Sequence, residues 1–159
     1  MPLSLALSPD ARRFAKIPFF ATLEPRALER LAFLSEARIV RRGEILFRRG
    51  DMGDWALMLL SGQITLDPEK GTQPLVVAPG NLIGEMALLV ETERRTTAHV
   101  HEPSAVLRIS RDMFLKILRD NPASAISLRA YCARRLRAFT GELDSASRAL
   151  STATPEAAD

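Results

Sequence analysis

Residues 79–89 read PGNLIGEMALL, and residues 93–97 read ERRTT. A glycine that precedes a short helix leaves backbone N–H groups free at the positive end of that helix, which suits a phosphate. An arginine nine or ten residues after Glu85 can return to the same place with a bidentate donor. Because a phosphate repels a neighbouring carboxylate, Glu85 is best explained if it accepts a hydrogen bond from another group of the ligand, such as a ribose hydroxyl. These stretches therefore predict a site for a small phosphorylated ribose ligand.

Turn signals divide the middle of the chain, residues 36–109, into short segments. Turns such as Arg49-Gly50-Asp51 and Ala78-Pro79-Gly80 recur at spacings of about 7–11 residues. This rhythm predicts antiparallel strands in a sandwich or roll, since alternating strands and helices would need longer units.

Helices are predicted on both sides of the strand region. Residues 9–34 begin with Ser8-Pro9, a suitable N-cap and first helical position, and restart at Pro25. Residues 111–150 are also helical in pattern, and Asn121-Pro122 divides them into a short helix and a long one with Asn121 as its cap.

The long helix carries a narrow apolar seam at steps of three and four residues. The seam consists of Leu128, Cys132, Leu136, Phe139, Leu143, Ala146 and Leu150. One small roll cannot cover a seam of this length, so it predicts a parallel helix pair in a homodimer. The alternative is a helix packed back on its own roll.

Composition excludes several classes of protein. The 159 residues are 47% apolar and 26% charged, which is ordinary for one compact domain. No apolar run approaches the roughly eighteen residues of a membrane span, and no signal peptide is expected. One cysteine and two histidines predict no metal site. A net charge of +3 is small for a dedicated nucleic-acid binder. We expect a cytoplasmic protein.

The chain resembles the cyclic-nucleotide-binding domain of the catabolite-activator and oxygen-sensing regulator family, which also occurs in the gating domains of some ion channels. The likeness runs from about Ile17 to Phe139. The motifs that carry it, in order, are PFF at residues 18–20, GEILF at 43–47, GDMGD at 50–54, GEMALL at 84–89 and RTT at 95–97.

The resemblance implies a mainly β fold: an antiparallel β-roll (a jelly roll or double-stranded β-helix) with N-terminal helices and a long C-terminal helix. It implies a single domain over residues 1–150, with the roll at about 36–109 and the C-terminal helices at about 111–150. The polar, alanine-rich segment 151–159 is expected to be a flexible tail.

The resemblance also implies a role for each part of the site. Glu85 holds the ribose 2′-hydroxyl, an arginine holds the cyclic phosphate, and backbone N–H groups near Ala87 share that phosphate. The expected ligand-binding set is Gly84, Glu85, Met86, Ala87, Arg94, Arg95 and Thr96.

Two adjacent arginines have suitable spacing for the phosphate. Arg95 is followed by Thr96, which matches the small or hydroxyl residue that usually follows the phosphate arginine in this family. Strand alternation instead puts Thr96, Ala98 and Val100 on the interior face together with Arg94. We therefore favour Arg94, although a bulge between the two would reverse the choice.

The long helix lies over the purine in this family, which makes Tyr131, Arg129, Arg134 and Arg135 candidates for contact with the base, with Tyr131 and Arg134 as the first choice. The expected ligand is cyclic AMP. Cyclic GMP is the alternative, because a threonine directly after the phosphate arginine can favour guanine, and Thr96 holds that place if Arg95 is the ligand.

The expected function is that of a sensor that signals through its C-terminal helices to an effector protein. The alternative is a dimeric protein-interaction module with a degenerate, ligand-free pocket. No catalytic motif is recognisable, and a glutamate–arginine pair is a binding geometry, so we expect no enzyme. About nine residues follow Leu150, too few for a helix-turn-helix domain, so we expect no DNA binding.

Overall fold

In residues 6–68 and 72–153, the part of the chain that the computed structural model describes, five α-helices and one short 3₁₀ helix flank eight strands. The α-helices are α1 Pro9–Ala15, α2 Pro18–Ala21, α3 Pro25–Leu34, α4 Arg111–Asp120 and α5 Pro122–Ala153. The strands are β1 Glu36–Val40, β2 Ile45–Phe47, β3 Met52–Gly53, β4 Trp55–Asp67, β5 Leu75–Val77, β6 Leu82–Ile83, β7 Thr92–Glu93 and β8 Thr97–Ser110. We call the 3₁₀ helix, Glu85–Leu88, the cassette helix.

The strands form an antiparallel roll built on the long pair β4 and β8. The larger sheet has the order β1-β8-β4-β5, with β2 also paired to β8 and β6 also paired to β4, while β3 and β7 form a separate ribbon. The register of β4 on β8 shifts at several points between Leu59 and Ile64, which allows the long strands to bend around the roll. The mainly β fold with a long C-terminal helix is thus confirmed.

The alternation of side chains along β4 and β8 separates two hydrophobic cores. On β4, Leu57 and Leu59 point into the roll, whereas Ala56 and Met58 face the helices. The same period-two alternation on β8 sends Val106 inward and its neighbour Leu107 outward. The roll therefore has an interior of its own, and the helices pack on its outer face.

Prolines start the helices as the sequence predicts. The Ser8 hydroxyl accepts from the Ala11 N–H at 3.3 Å, and Pro9 and Pro25 occupy first-turn positions. Asn121 differs in detail from its predicted role. Its carbonyl accepts from the Ala125 N–H at 3.2 Å, but its side-chain amide donates back to the Ile117 carbonyl at 2.8 Å and so closes α4.

The long helix leaves the body of the protein after its first three turns. Leu128 is buried and Cys132 is half-buried, but Leu136 and Leu150 are 67% and 71% exposed. From position 133 onward, every side chain of α5 that the structure describes is exposed, so the alternative of a helix packed back on its own roll is wrong for this part. The side chains of Phe139 and Leu143 lie outside the described residues.

The end of α5 also differs from the sequence prediction. The helix continues to Ala153, three residues into the segment predicted as a tail. Residues 154–159 lie outside the described part of the chain. No helix among the described residues combines the length and hydropathy that crossing a membrane requires.

We expect Phe114→Ala to destabilise the fold by about 3–5 kcal/mol, because removal of a fully buried ring leaves a cavity. Phe114, on α4, is 0% exposed and lies 5.8 Å from the ring centroids of both Phe19 and Phe20. Phe33→Ala is the matched control, since Phe33 is 87% exposed and its loss should change stability by less than about 0.5 kcal/mol. Urea unfolding followed by the fluorescence of Trp55, the only tryptophan, measures both; equal costs would contradict this packing.

Candidate functional site

The seven residues of the expected ligand-binding set line one cavity at the mouth of the roll. The cavity has a volume of about 540 Å³ and is bounded by β2, β4, β6, the cassette helix and the segment that leads into β8. Its walls include Gly84, Glu85, Met86, Ala87, Arg94, Arg95 and Thr96. The fold therefore brings together two stretches that the sequence keeps apart.

The cassette helix begins at a glycine in the left-handed region. Gly84 has φ of 80°, a conformation that costs other residues free energy, and its carbonyl accepts from the Ala87 N–H at 3.1 Å. Ala87 is buried, Glu85 is half-buried and Met86 is 51% exposed. The Ala87 amide, which the family resemblance gives to the phosphate, thus forms part of the short helix here.

Arg94 lies inside the roll and is only 6% exposed. Its Nη2 donates to the Trp55 carbonyl at 2.6 Å, and its Cζ lies 4.4 Å from the ring centroid of Phe47 and 4.7 Å from that of Trp55. Its backbone N–H donates to the Asp51 carbonyl at 2.7 Å, and its carbonyl accepts from the Gly50 N–H at 2.8 Å. The turn before β3 therefore holds the backbone while the aromatic rings hold the side chain.

The charge of Arg94 has no close counterion in the described residues, where no carboxylate oxygen lies within 4 Å of its guanidinium nitrogens. Burial lowers the pKa of Arg94 from its usual value, and the more distant charges of Asp54 and Asp51 oppose that shift. A buried cation that is stabilised by one carbonyl and two aromatic faces still has donors to offer an anion. This arrangement favours a negatively charged group at the guanidinium.

Two glycines make room for the Arg94 side chain. A Cβ on Gly53 would lie 2.7 Å from Arg94 Cζ, and a Cβ on Gly84 would collide with Arg94 Nη1. The guanidinium therefore touches the backbone of both the β3 turn and the start of the cassette helix. Any other residue at either position would have to displace it.

The two adjacent arginines, in the segment that leads into β8, point in different directions. Arg94, Ala98 and Val100 are buried, whereas Arg95 is exposed at the rim of the cavity. Thr96, which follows Arg95, is half-buried. The choice between the arginines as phosphate ligand stays a prediction, but the inward direction expected for Arg94 is present.

The long helix contacts Glu85, a residue of the cavity wall, through Arg135, one of the four side chains named for contact with the base. Arg135 Nη1 lies 3.8 Å from Glu85 Oε1 and donates to the Tyr131 hydroxyl at 3.0 Å. Arg135 follows Tyr131 by four residues and so lies on the same helix face, but the sequence pattern did not pair it with Glu85. Tyr131 meets the Phe19 ring edge-on at 6.4 Å, and Arg134 is exposed; neither lines the cavity, so their contact with a base stays a prediction.

Cys132 lies on the same helix and interacts electrostatically with Glu85. Burial raises the pKa of the Cys132 thiol, and the Glu85 carboxylate raises it further, while Arg135 opposes the shift. The thiol is therefore kept protonated, as expected for a small packing residue. Within residues 6–68 and 72–153, no three His, Cys, Asp or Glu side chains are grouped so as to hold a metal ion.

This combination of roll, cassette helix and inward arginine defines a nucleotide-sensing domain. The chain belongs to the cyclic nucleotide-binding domain family, whose sequence profile matches residues 37–121. The cyclic AMP receptor protein of Thermus thermophilus is 34% identical to it over 131 residues, which cover 80% of this chain and 61% of that protein. The chain also matches lysophospholipase nte1 of Neurospora crassa, with 30% identity over 74% of this chain and only 8% of that enzyme.

Solved structures agree with this assignment. The cyclic nucleotide-binding-like protein of Brucella abortus superimposes with a TM-score of 0.65 at 36% identity, over 70% of this chain and 99% of that one. The N-terminal domain of a transcriptional regulator from Streptomyces coelicolor gives a TM-score of 0.75 at 26% identity, over 82% of this chain and 94% of that one. The chain thus spans less than two thirds of the curated relatives named above and nearly all of these two solved domains.

We expect Gly84→Ala to cost about 1–3 kcal/mol more than Gly80→Ala, because only the first substitution adds a clash to backbone strain. Both glycines have positive φ, 80° and 91°, but a Cβ on Gly80 has nothing within 4 Å, whereas one on Gly84 meets Arg94. Urea unfolding measures the two costs. The Trp55 emission of the native state should change only in Gly84→Ala, since Arg94 contacts that ring; equal behaviour of the two variants would contradict the described position of Arg94.

Proposed function

We propose that this chain is a sensor that binds a 3′,5′-cyclic purine nucleotide, with cyclic AMP as the preferred ligand. The observation that carries the proposal is the buried guanidinium of Arg94, which has no carboxylate within 4 Å in the described residues and shares a cavity with Glu85. An empty pocket has no need to bury a cation in this way, since burial without an anion costs free energy.

Each ligand group has a matching group in the site. Arg94 binds the cyclic phosphate through charge-assisted hydrogen bonds, which are about twice as strong as neutral ones. Glu85 accepts from the ribose 2′-hydroxyl at the mouth of the same cavity. The cavity of about 540 Å³ lies within the range of known small-ligand sites.

Binding also changes the contacts of the long helix. Arg135 and Glu85 form an ion pair at 3.8 Å whose side chains are 64% and 34% exposed, so the pair is weak and a ribose hydroxyl can compete for the carboxylate. Arg135 and Tyr131 are then free to contact the purine. A ligand shifts α5 only by the difference in its affinity for the two positions of that helix.

The preference for cyclic AMP rests on two points. The relative from Thermus thermophilus is named as a cyclic AMP receptor. With Arg94 as the phosphate ligand, Thr96 no longer follows the phosphate arginine directly, which removes the reason to expect guanine. We propose further that the protein binds the nucleotide in the cytoplasm without hydrolysing it. Its output passes through α4 and α5 to an effector protein.

We expect isothermal titration to give heat with cyclic AMP and weaker binding with cyclic GMP. Arg94→Met should weaken binding by about 100-fold, because it removes the buried charge. Arg95→Met is the matched control and should stay within about threefold, since Arg95 is exposed at the rim. Glu85→Gln should weaken binding by about tenfold, because the carboxylate is a stronger acceptor than the amide.

Other outcomes of the titration are equally informative. A larger loss for Arg95→Met than for Arg94→Met would exchange their roles, and equal losses would assign both arginines to the phosphate. No heat with either nucleotide, and none co-purified with the protein, would favour the protein-interaction module with a ligand-free pocket.

The output helix is proposed to pair with that of a second copy. Leu136 and Leu150 lie on the seam of α5 and are largely exposed in the single chain, and a long exposed apolar seam is typical of a coiled coil. Pairing of this kind would connect two nucleotide sites through one pair of helices.

We expect sedimentation equilibrium to show a dimer that Leu136→Arg weakens, because the substitution puts a charge into the seam. Leu75→Arg is the control, since Leu75 is similarly exposed, at 63%, but lies on β5. A wild-type chain that remains monomeric at high micromolar concentration, or equal effects of both variants, would rule out pairing through this seam.

A further inference from the structure

Arg111, the first residue of α4, forms hydrogen bonds with two other segments of the fold. Its Nε donates to the Ala87 carbonyl at 2.7 Å and its Nη2 to the Val90 carbonyl at 3.1 Å, at the end of the cassette helix. Nη2 also donates to the Gly53 carbonyl, and the backbone N–H donates to the Asp54 carbonyl at 2.8 Å. One side chain therefore joins the cassette, the β3 turn and the start of α4.

The cassette helix needs such a partner at its C-terminal end. Its short turns use the Gly84 and Met86 carbonyls as acceptors for Ala87, Leu89 and Val90 amides. The carbonyls of Ala87 and Val90 instead point to Arg111. Helix ends leave carbonyls without partners inside the helix, and a planar guanidinium can serve several acceptors at fixed angles, which a lysine cannot.

The segments that Arg111 holds are the same ones that touch Arg94. The Arg94 guanidinium lies against Gly53, whose carbonyl Arg111 binds, and against Gly84, from which the cassette helix starts. A phosphate that draws the Arg94 guanidinium to a new position would therefore change its contact with one or both of these glycines.

The helix that begins at Arg111, α4, is in turn connected to the long helix α5 through packed aromatic rings. Phe114, one turn into α4, packs on Phe19 at 5.8 Å, and Phe19 meets Tyr131 of α5 at 6.4 Å. A shift of α4 is thus transmitted to α5 by packed rings, since close-packed side chains cannot move independently.

We propose that Arg111 is the positioning residue that couples the nucleotide cavity to α4, and that it does not itself touch the ligand. This inference rests on the proposed function for its final step, the response of α5 to nucleotide. The connection of α4 to the cassette through Arg111 does not depend on any ligand, so it can be tested in the free protein.

The first experiment is hydrogen exchange of the ligand-free protein, comparing Arg111→Met with Arg119→Met. Arg119 lies on the same helix and is exposed, so it controls for the loss of a guanidinium from α4. We expect Arg111→Met to speed exchange of the amides in residues 85–90 and in the first turn of α4 together, by about tenfold, because charge-assisted bonds are lost. Unchanged exchange in residues 85–90 would overturn the proposal.

The second experiment adds saturating cyclic AMP, with saturation checked by titration. In the wild type and in Arg119→Met we expect altered exchange in residues 85–90, 111–120 and 122–132. In Arg111→Met the change in residues 85–90 should remain, while the change in the two helical segments falls at least about threefold. A merely structural role would lower stability but leave the ratio of these responses unchanged, which would also overturn the proposal.

Arg111→Lys keeps a positive charge and is the variant to use if Arg111→Met does not fold. It should retain near-wild-type stability and still lose the helical response, because the three donors of an ammonium share one nitrogen, whereas Arg111 reaches these carbonyls from both Nε and Nη2. A wild-type chain that shows no nucleotide response would refute the proposed function alone, and the ligand-free comparison would then decide the role of Arg111.

Discussion

The guanidinium of Arg94 is a positive charge held inside a small β-roll, against the rings of Phe47 and Trp55 and without a carboxylate within 4 Å in the described residues. Burying a charge in this way costs free energy that aromatic contacts and one carbonyl only partly offset. The surrounding backbone is shaped by it, because Gly53 and Gly84 lie too close to the side chain to carry a Cβ. A buried positive charge of this kind favours a negatively charged group beside it.

The roll can present such a site because its two cores are separate. Along β4, side chains alternate between the interior of the roll and the packing surface of the helices, so Leu57 supports the cavity while Met58 supports the helices. Along this strand, different side chains therefore line the interior of the roll and the packing surface of the helices. Arg111 and Phe114 lie on α4, where the helices meet the roll. Arg111 bonds to the cassette helix, and Phe114 packs among the helices.

Much of the architecture was accessible from local patterns. Turn spacing predicted the antiparallel roll, prolines at 9, 25 and 122 predicted helix starts, and alternation predicted that Arg94 points inward. Pairings between distant segments were not accessible, since nothing in the local sequence around Glu85 specifies Arg135 as its neighbour, or Ala87 as an acceptor for Arg111. The extent to which α5 packs on its own chain was also open, because an apolar seam has the same pattern whether it is covered by the roll or by another helix.

Periodicity and turn chemistry act over a few residues, so the order of elements and the glycine that begins the cassette helix can be read from the chain directly. The direction of a guanidinium, the partner of a carboxylate and the exposure of a helix face depend on which segments meet in space. Those contacts join residues that are 24 to 58 positions apart, as Arg111 shows with Ala87 and Gly53. Folding, which brings such positions together, is what turned a recognisable motif into a cavity with a buried charge and a connection to the helices.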